Sequence, residues 1–167
     1  MTHIEQDIYS DDVHPIDIVE HIAQHQDWAF DRVADDQIAM AVEGQWRNYS
    51  ITLTWSDRDE TLRLICTFEM EPRSDRLPIL HDLLNRVNDQ VWTGAFSFWE
   101  AQRLMVFRYG LVLAGGQMAG TEQIGTMIGA AVGASERFYP AFQLAVWGQQ
   151  TPQEAMQVAI GETYGHA

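Results

Sequence analysis

The sequence contains no lysine, and its ten basic residues are all arginine. Set against twenty-four acids, they leave a formal net charge of −14. A field of that sign repels phosphate backbones and anionic lipid headgroups, so the composition argues against nucleic-acid and membrane-surface binding. There is no second cysteine either, and Cys66 alone forms no internal disulfide. The opening MTHIEQDIYSDD lacks the basic flank and apolar run of a secretion signal, which makes the cytoplasm the expected location. Long apolar runs are missing as well. Between Arg108 and Glu136 the least polar stretch is cut by Glu122 into two uncharged runs of thirteen residues, and a membrane span needs about 20.

What is present is material for a core. Of 167 residues, 46% are apolar and 11% aromatic, which excludes intrinsic disorder. A chain of this length buries roughly 70% of its unfolded surface. No linker, repeat or low-complexity segment divides it, so a single domain over 1–167 is expected, with the polar residues 1–12 frayed. The charge is lopsided: residues 1–36 hold ten acids and only Arg32, the pattern of a solvated face or, less often, of a docking surface for a basic partner.

His14-Pro15 opens a helix with proline where its missing N–H costs least, and Ile18, Val19 and Ile22 supply its buried stripe to about Gln26. Strand patterns follow at Trp28–Val33, Gln37–Val42, Trp46–Trp55 and Thr61–Met70. In the third, Tyr49, Ile51, Leu53 and Trp55 alternate with Ser50, Thr52 and Thr54. In the fourth, Cys66 shares a face with Leu62, Leu64, Phe68 and Met70, which makes it a core residue. Short turns join these four strands most simply into an antiparallel meander. From Arg76 to Trp92 the period becomes helical, with Leu80, Leu84, Val87, Asn88 and Val91 on one stripe. Gly94 begins a hairpin of GAFSFW and LMVFRYGLVL, whose second strand is apolar on both faces and therefore expected to be covered on both. Thr121 begins a long helix that Pro140 should kink or divide, and Thr151-Pro152-Gln153-Glu154 is a capping box for the last helix. The expected fold class is α+β, in the order αββββαββαα.

The segments LLNRVNDQVWTGAFSFW, VFRYGLVL, ERFYPAFQLAVWG and TPQEAMQVAIGETYGHA resemble the YbjN-like family of bacterial proteins, in its alphaproteobacterial form. That resemblance implies a fold similar to type III secretion chaperones, with helices on an antiparallel sheet. Those chaperones are small, acidic and often dimeric. It also implies a sensory-transduction regulator with no established reaction or ligand.

Chemistry-bearing motifs are few. There is no GxSxG turn, and Gly115, Gly116 and Gly120 form neither GxGxxG nor a phosphate loop. Burial of Cys66 would raise its pKa rather than activate it. Asp35-Asp36, Glu69 and Glu71 fall at turns and strand ends, where solvation explains them. His14, His21 and His25 lie within about 40° on an ideal helix, yet no further ligand completes a set. Arg108 shares a strand face with Leu104, Val106 and Val112, and Asn88 sits on a buried helix stripe, so both are expected in structural polar networks, with a ligand-facing role as the alternative. Gly125, Gly129 and Gly133 repeat every four residues, which suits either tight packing on the sheet or a helix-to-helix contact in a homodimer. Phe96, Phe98 and Trp99 are candidates for a partner-binding surface.

These residues point to a non-enzymatic binding module, a regulator or chaperone-like adaptor that holds a protein or peptide, with no cofactor. A small-ligand sensor and a small enzyme are the rival classes. A concave pocket containing Arg108 would favour the sensor, and an extended apolar groove the adaptor. Metal analysis of protein purified without a histidine tag should find well below one equivalent; a full equivalent lost on His21→Ala and His25→Ala would overturn the metal-free reading.

Overall fold

The computed structural model describes residues 13–165; the expectation for residues 1–12 lies outside them. Helix α1 (Pro15–His25) is followed by strands β1 (Ala29–Ala34), β2 (Gln37–Glu43), β3 (Asn48–Ser56) and β4 (Thr61–Glu69). A 3-10 turn (Ser74–Arg76) leads into α2 (Leu77–Asn88), then β5 (Ala95–Trp99), β6 (Leu104–Val112), α3 (Thr121–Trp147) and α4 (Pro152–Gly165). The class is α+β. All six strands pair antiparallel in the order β1-β2-β3-β4-β6-β5, so the hairpin joins the meander through β6.

Local chemistry explains the boundaries. His14 caps α1, its Nδ1 accepting from the Ile16 N–H at 3.1 Å, with Pro15 behind it. That use, at the helix entrance, separates His14 from His21 and His25. Arg32 of β1 locks α1 down, donating to Asp17 at 3.0 Å and Glu20 at 3.2 Å. At α4, the Thr151 hydroxyl accepts from the Glu154 N–H at 3.2 Å, half of the anticipated capping box.

The alternation in β2, β3 and β4 sends Ile38, Met40, Tyr49, Ile51, Leu53, Leu62, Leu64, Cys66 and Phe68 to one face. There they meet Met105, Phe107 and all four helices in one buried cluster. The opposite face carries no helix. Its side chains include Ser50, Arg63 and Arg108, all exposed. Strand β6 is therefore covered on one side only, save at Val106, which is fully buried between Thr67 and Ser97.

Two further expectations are corrected. Pro140 does not divide α3, which runs 27 residues with Phe138, Pro140 and Ala141 all buried. Packing of this segment on the core holds it helical where isolated propensity would not. Nor do the glycines of α3 press on the sheet: a Cβ at Gly125, Gly129 or Gly133 would meet nothing within 4 Å. They lie on the face of α3 turned away from the core.

One carboxylate ties α3 to the meander. Glu136 accepts from the Tyr49 hydroxyl at 2.5 Å, from the Gln45 N–H at 3.0 Å and from the Trp46 N–H at 3.3 Å. Gly44 lets the turn come this close, since a Cβ there would collide with the Glu136 carboxylate and the Tyr49 ring. Burial and then the neighbouring carboxylate push the Tyr49 phenol up, keeping it a neutral donor. Glu136→Ala strands the hydroxyl of the fully buried Tyr49. Equilibrium unfolding in urea should show a loss of roughly 2–4 kcal/mol for Glu136→Ala and a smaller one for Tyr49→Phe.

Candidate functional site

Strand β5 is shorter than its neighbour. Its pairing with β6 begins at Ala95 opposite Arg108, whereas β6 continues to Val112 against β4. Residues 109–112 of β6 thus have a partner on one side only. The Leu113 N–H donates to the Glu60 carbonyl at 2.8 Å, so alternation turns the Leu111 and Tyr109 backbone groups toward β4, and those of Gly110 and Val112 toward the vacated side.

A cleft of about 640 Å³ lies against this vacancy on the helix-free face, lined by Thr61, Arg63, Arg108, Gly110, Trp92 and Gly94 among others. A second, of about 520 Å³, lies toward α3, with Gln123, Thr126, Met127 and Ala130 in its wall. Thr93 and Tyr109 line both. The missing strand position therefore has a cavity on each side.

Local structure builds the site. Gly94, at φ +98°, makes the turn into β5 where any Cβ would strike the Phe107 ring and the Arg108 carbonyl. Asn88 supports the same strand from outside: its amide donates to the Phe96 carbonyl at 3.0 Å and accepts from the Phe96 N–H at 2.8 Å. It satisfies the outer edge of β5, the polar role its buried stripe requires. With α2 ending at Asn88 rather than Trp92, the Trp92 side chain is left 96% exposed.

Arg108 does not form the structural network expected of it. It is exposed, and its side chain makes no hydrogen bond or ion pair among the described residues. Its strand face is the helix-free one, so solvent replaces the acceptor a buried guanidinium would need. Arg63, paired in register with Gly110, already donates to Asp59 at 2.6 Å. Hydrogen bonds from Ser56 and Arg63 hold the Asp59 carboxyl below its usual range. Arg108 thus brings an uncommitted positive charge to the cleft.

The proposed aromatic surface is also revised. Phe96 is 3% exposed and packs against Phe107, Phe138 and Phe142, because the face it shares with Phe98 is the core face. Phe98 is half-buried on that core, and Trp99 is half-buried on the other face, at the far end of β5 from the cleft. The residues sequence reasoning missed are Trp92, Thr93, Gly110 and Met127. Only the tryptophan immediately before Thr93-Gly94 offered a signal.

Other candidates are not brought together. Among the described residues, no three His, Cys, Asp or Glu side chains are grouped to hold a metal ion. His21 and His25 line a separate 310 Å³ depression with Thr121 and Gly125. No helix of the described residues is long and apolar enough to cross a membrane. Cys66 is fully buried on the core face, 3.7 Å from the Ser135 hydroxyl, and lines neither cleft.

Residues 15–144 match the family model YbjN, described as "Putative bacterial sensory transduction regulator". The chain belongs to the YbjN family. It is similar to the crystal structure of YbjN from E. coli, described as "a putative transcription regulator", with a TM-score of 0.51 and 13% identity over 92% of this chain and 93% of that one. Likeness at that identity speaks for the fold. No curated protein matches the chain by sequence.

Burial pushes the Cys66 thiol up to about 11, so a disulfide reagent at pH 8 should modify it only after unfolding. The folded state holds this proton more tightly than the unfolded chain. Its stabilising contribution is complete below about pH 9 and fades as pH rises through about 11. Chemical-unfolding midpoints taken across that interval should fall less steeply in Cys66→Ala than in the parent.

Proposed function

We propose that this protein is a non-enzymatic regulatory module that holds a segment of another polypeptide along the vacated edge of β6. The observation that carries the reading is the length mismatch of β5 and β6, which leaves Gly110 and Val112 backbone groups directed at an empty strand position. An open edge of this kind is a template for strand addition unless it is covered or charged against it. Here the flanking features suit a guest. Side chains of an extended segment alternate between faces, and a cleft lies on each. Trp92, 96% exposed, offers an aromatic face at the rim. Its exposure has no role in the fold's own packing.

A second reading, a small-ligand sensor, draws on the uncommitted Arg108 in the larger cleft. The two differ in what they require of the backbone. Strand addition needs the Gly110 N–H, whereas an anion held by the guanidinium does not.

Phage-displayed random peptides selected on the immobilised protein provide the test. Selected peptides should bind the parent and lose at least tenfold in affinity to Gly110→Pro, a change that removes the outward N–H while sparing the β4 ladder. Trp92→Ser should weaken them severalfold with an unchanged folded spectrum. Peptides that bind both variants as tightly as the parent place the docking surface elsewhere. A small anion that binds with full affinity to Gly110→Pro, where no peptide binds the parent, establishes the sensor instead.

A further inference from the structure

Resting on strand addition at this edge, we infer that the site is specific for the free C-terminal end of a polypeptide, with Arg108 as the anchor for its carboxylate. The argument is one of direction. Strand β5 runs antiparallel to β6, from Ala95 opposite Arg108 to Trp99 opposite Leu104. A guest strand antiparallel to β6 travels the same way as β5, past Val112, then past Gly110, toward the residues where β5 begins. It cannot continue. Gly94 already occupies the next position, close against the Arg108 carbonyl and the Phe107 ring. The guest must therefore end, or leave the sheet, beside Gly110.

At that point the chemistry favours an ending. The Arg108 side chain stands two residues from Gly110 on the cleft face, about 7 Å away along the ladder, within reach of an arginine side chain. It has no acceptor of its own among the described residues, while Arg63, directly opposite Gly110, stays with Asp59. A terminal carboxylate accepts two parallel N–H bonds from a guanidinium, and main-chain N–H groups complete such captures elsewhere. The reverse polarity fails. A guest parallel to β6 would bring its N-terminal ammonium to the same arginine, and two cations would meet. An acidic body of the guest is not required, and the net charge of −14 disfavours one. The ligand class is an extended, neutral or basic polypeptide ending in a free carboxylate, with its penultimate side chains divided between the Arg108 cleft and the Met127 cleft.

Two libraries of random heptapeptides, one displayed with free C-termini and one with free N-termini, are selected in parallel on the full-length protein. Enrichment is expected from the first. A selected peptide is then synthesised as the free acid and as the C-terminal amide, and binding is read by fluorescence anisotropy. Amidation should weaken it at least tenfold. Arg108→Gln should cost a similar factor for the acid and almost nothing for the amide, and Arg108→Lys should restore part of the preference. Because Arg108 is exposed, these variants should fold as the parent does, which circular dichroism checks. Equal binding of acid and amide, or an acid preference that survives Arg108→Gln, overturns the C-terminal anchor yet leaves strand addition standing. Peptides enriched from neither library overturn both.

Discussion

The ladder between β4 and β6 is the constraint on which the rest of this molecule depends. It pairs Thr61 with Val112 and continues without a break to Glu69 with Leu104. The meander and the hairpin are separate in sequence, with α2 between them, and this pairing makes them one sheet. It sets Cys66 beside Phe107 and Phe68 beside Met105, so that a single apolar face receives α1, α2 and α3, with α4 packed on α2 and α3. The same register fixes what the other face holds. Arg63 faces Gly110 and Ile65 faces Arg108, and a one-residue slip would exchange these with the core set.

The edges of the sheet are handled in different ways. At β1, Arg32 is turned back onto α1, where Asp17 and Glu20 receive it. At β5, the Asn88 amide substitutes for a strand at Phe96. The remainder of the β6 edge has neither device. A sheet edge left open next to a fully exposed tryptophan is uncommon, because such edges invite association. Here the two features adjoin an arginine without a partner, and these three properties together distinguish the cleft from ordinary surface.

Two charged side chains fasten α3 to other parts of the chain. Arg76 donates to the Ala145 and Gln150 carbonyls at 2.8 and 2.7 Å, placing a cation against the C-terminal end of α3. Glu136 receives three donors from a different part of the chain. Together these contacts hold α3 at both the β2–β3 turn and the junction with α4. The N-terminal part of the same helix forms a wall of the smaller cleft.

Much of the architecture was legible in the residues themselves. Period-two alternation at Tyr49–Trp55 and Leu62–Met70 marked the strands, proline at the first helical position marked the starts of α1 and α4, and the YbjN-like strings near the hairpin and in α3 carried the family. Asn88 was legible as a polar group in need of a partner because it falls on an apolar helix stripe. Which face of β6 the helices would cover was not. Both faces of that strand read as apolar, so the pattern could not say that Phe107 points into the core and Arg108 out of it, nor that Phe96 would follow Phe107 inward. That choice comes from the β4 register, a contact between residues some forty positions apart. The vacated edge is likewise a property of two strand lengths compared in space. Local sequence determines how each segment is shaped, because propensity and period act over a few residues; only tertiary pairing decides which backbone groups find a partner and which are left to bind something else.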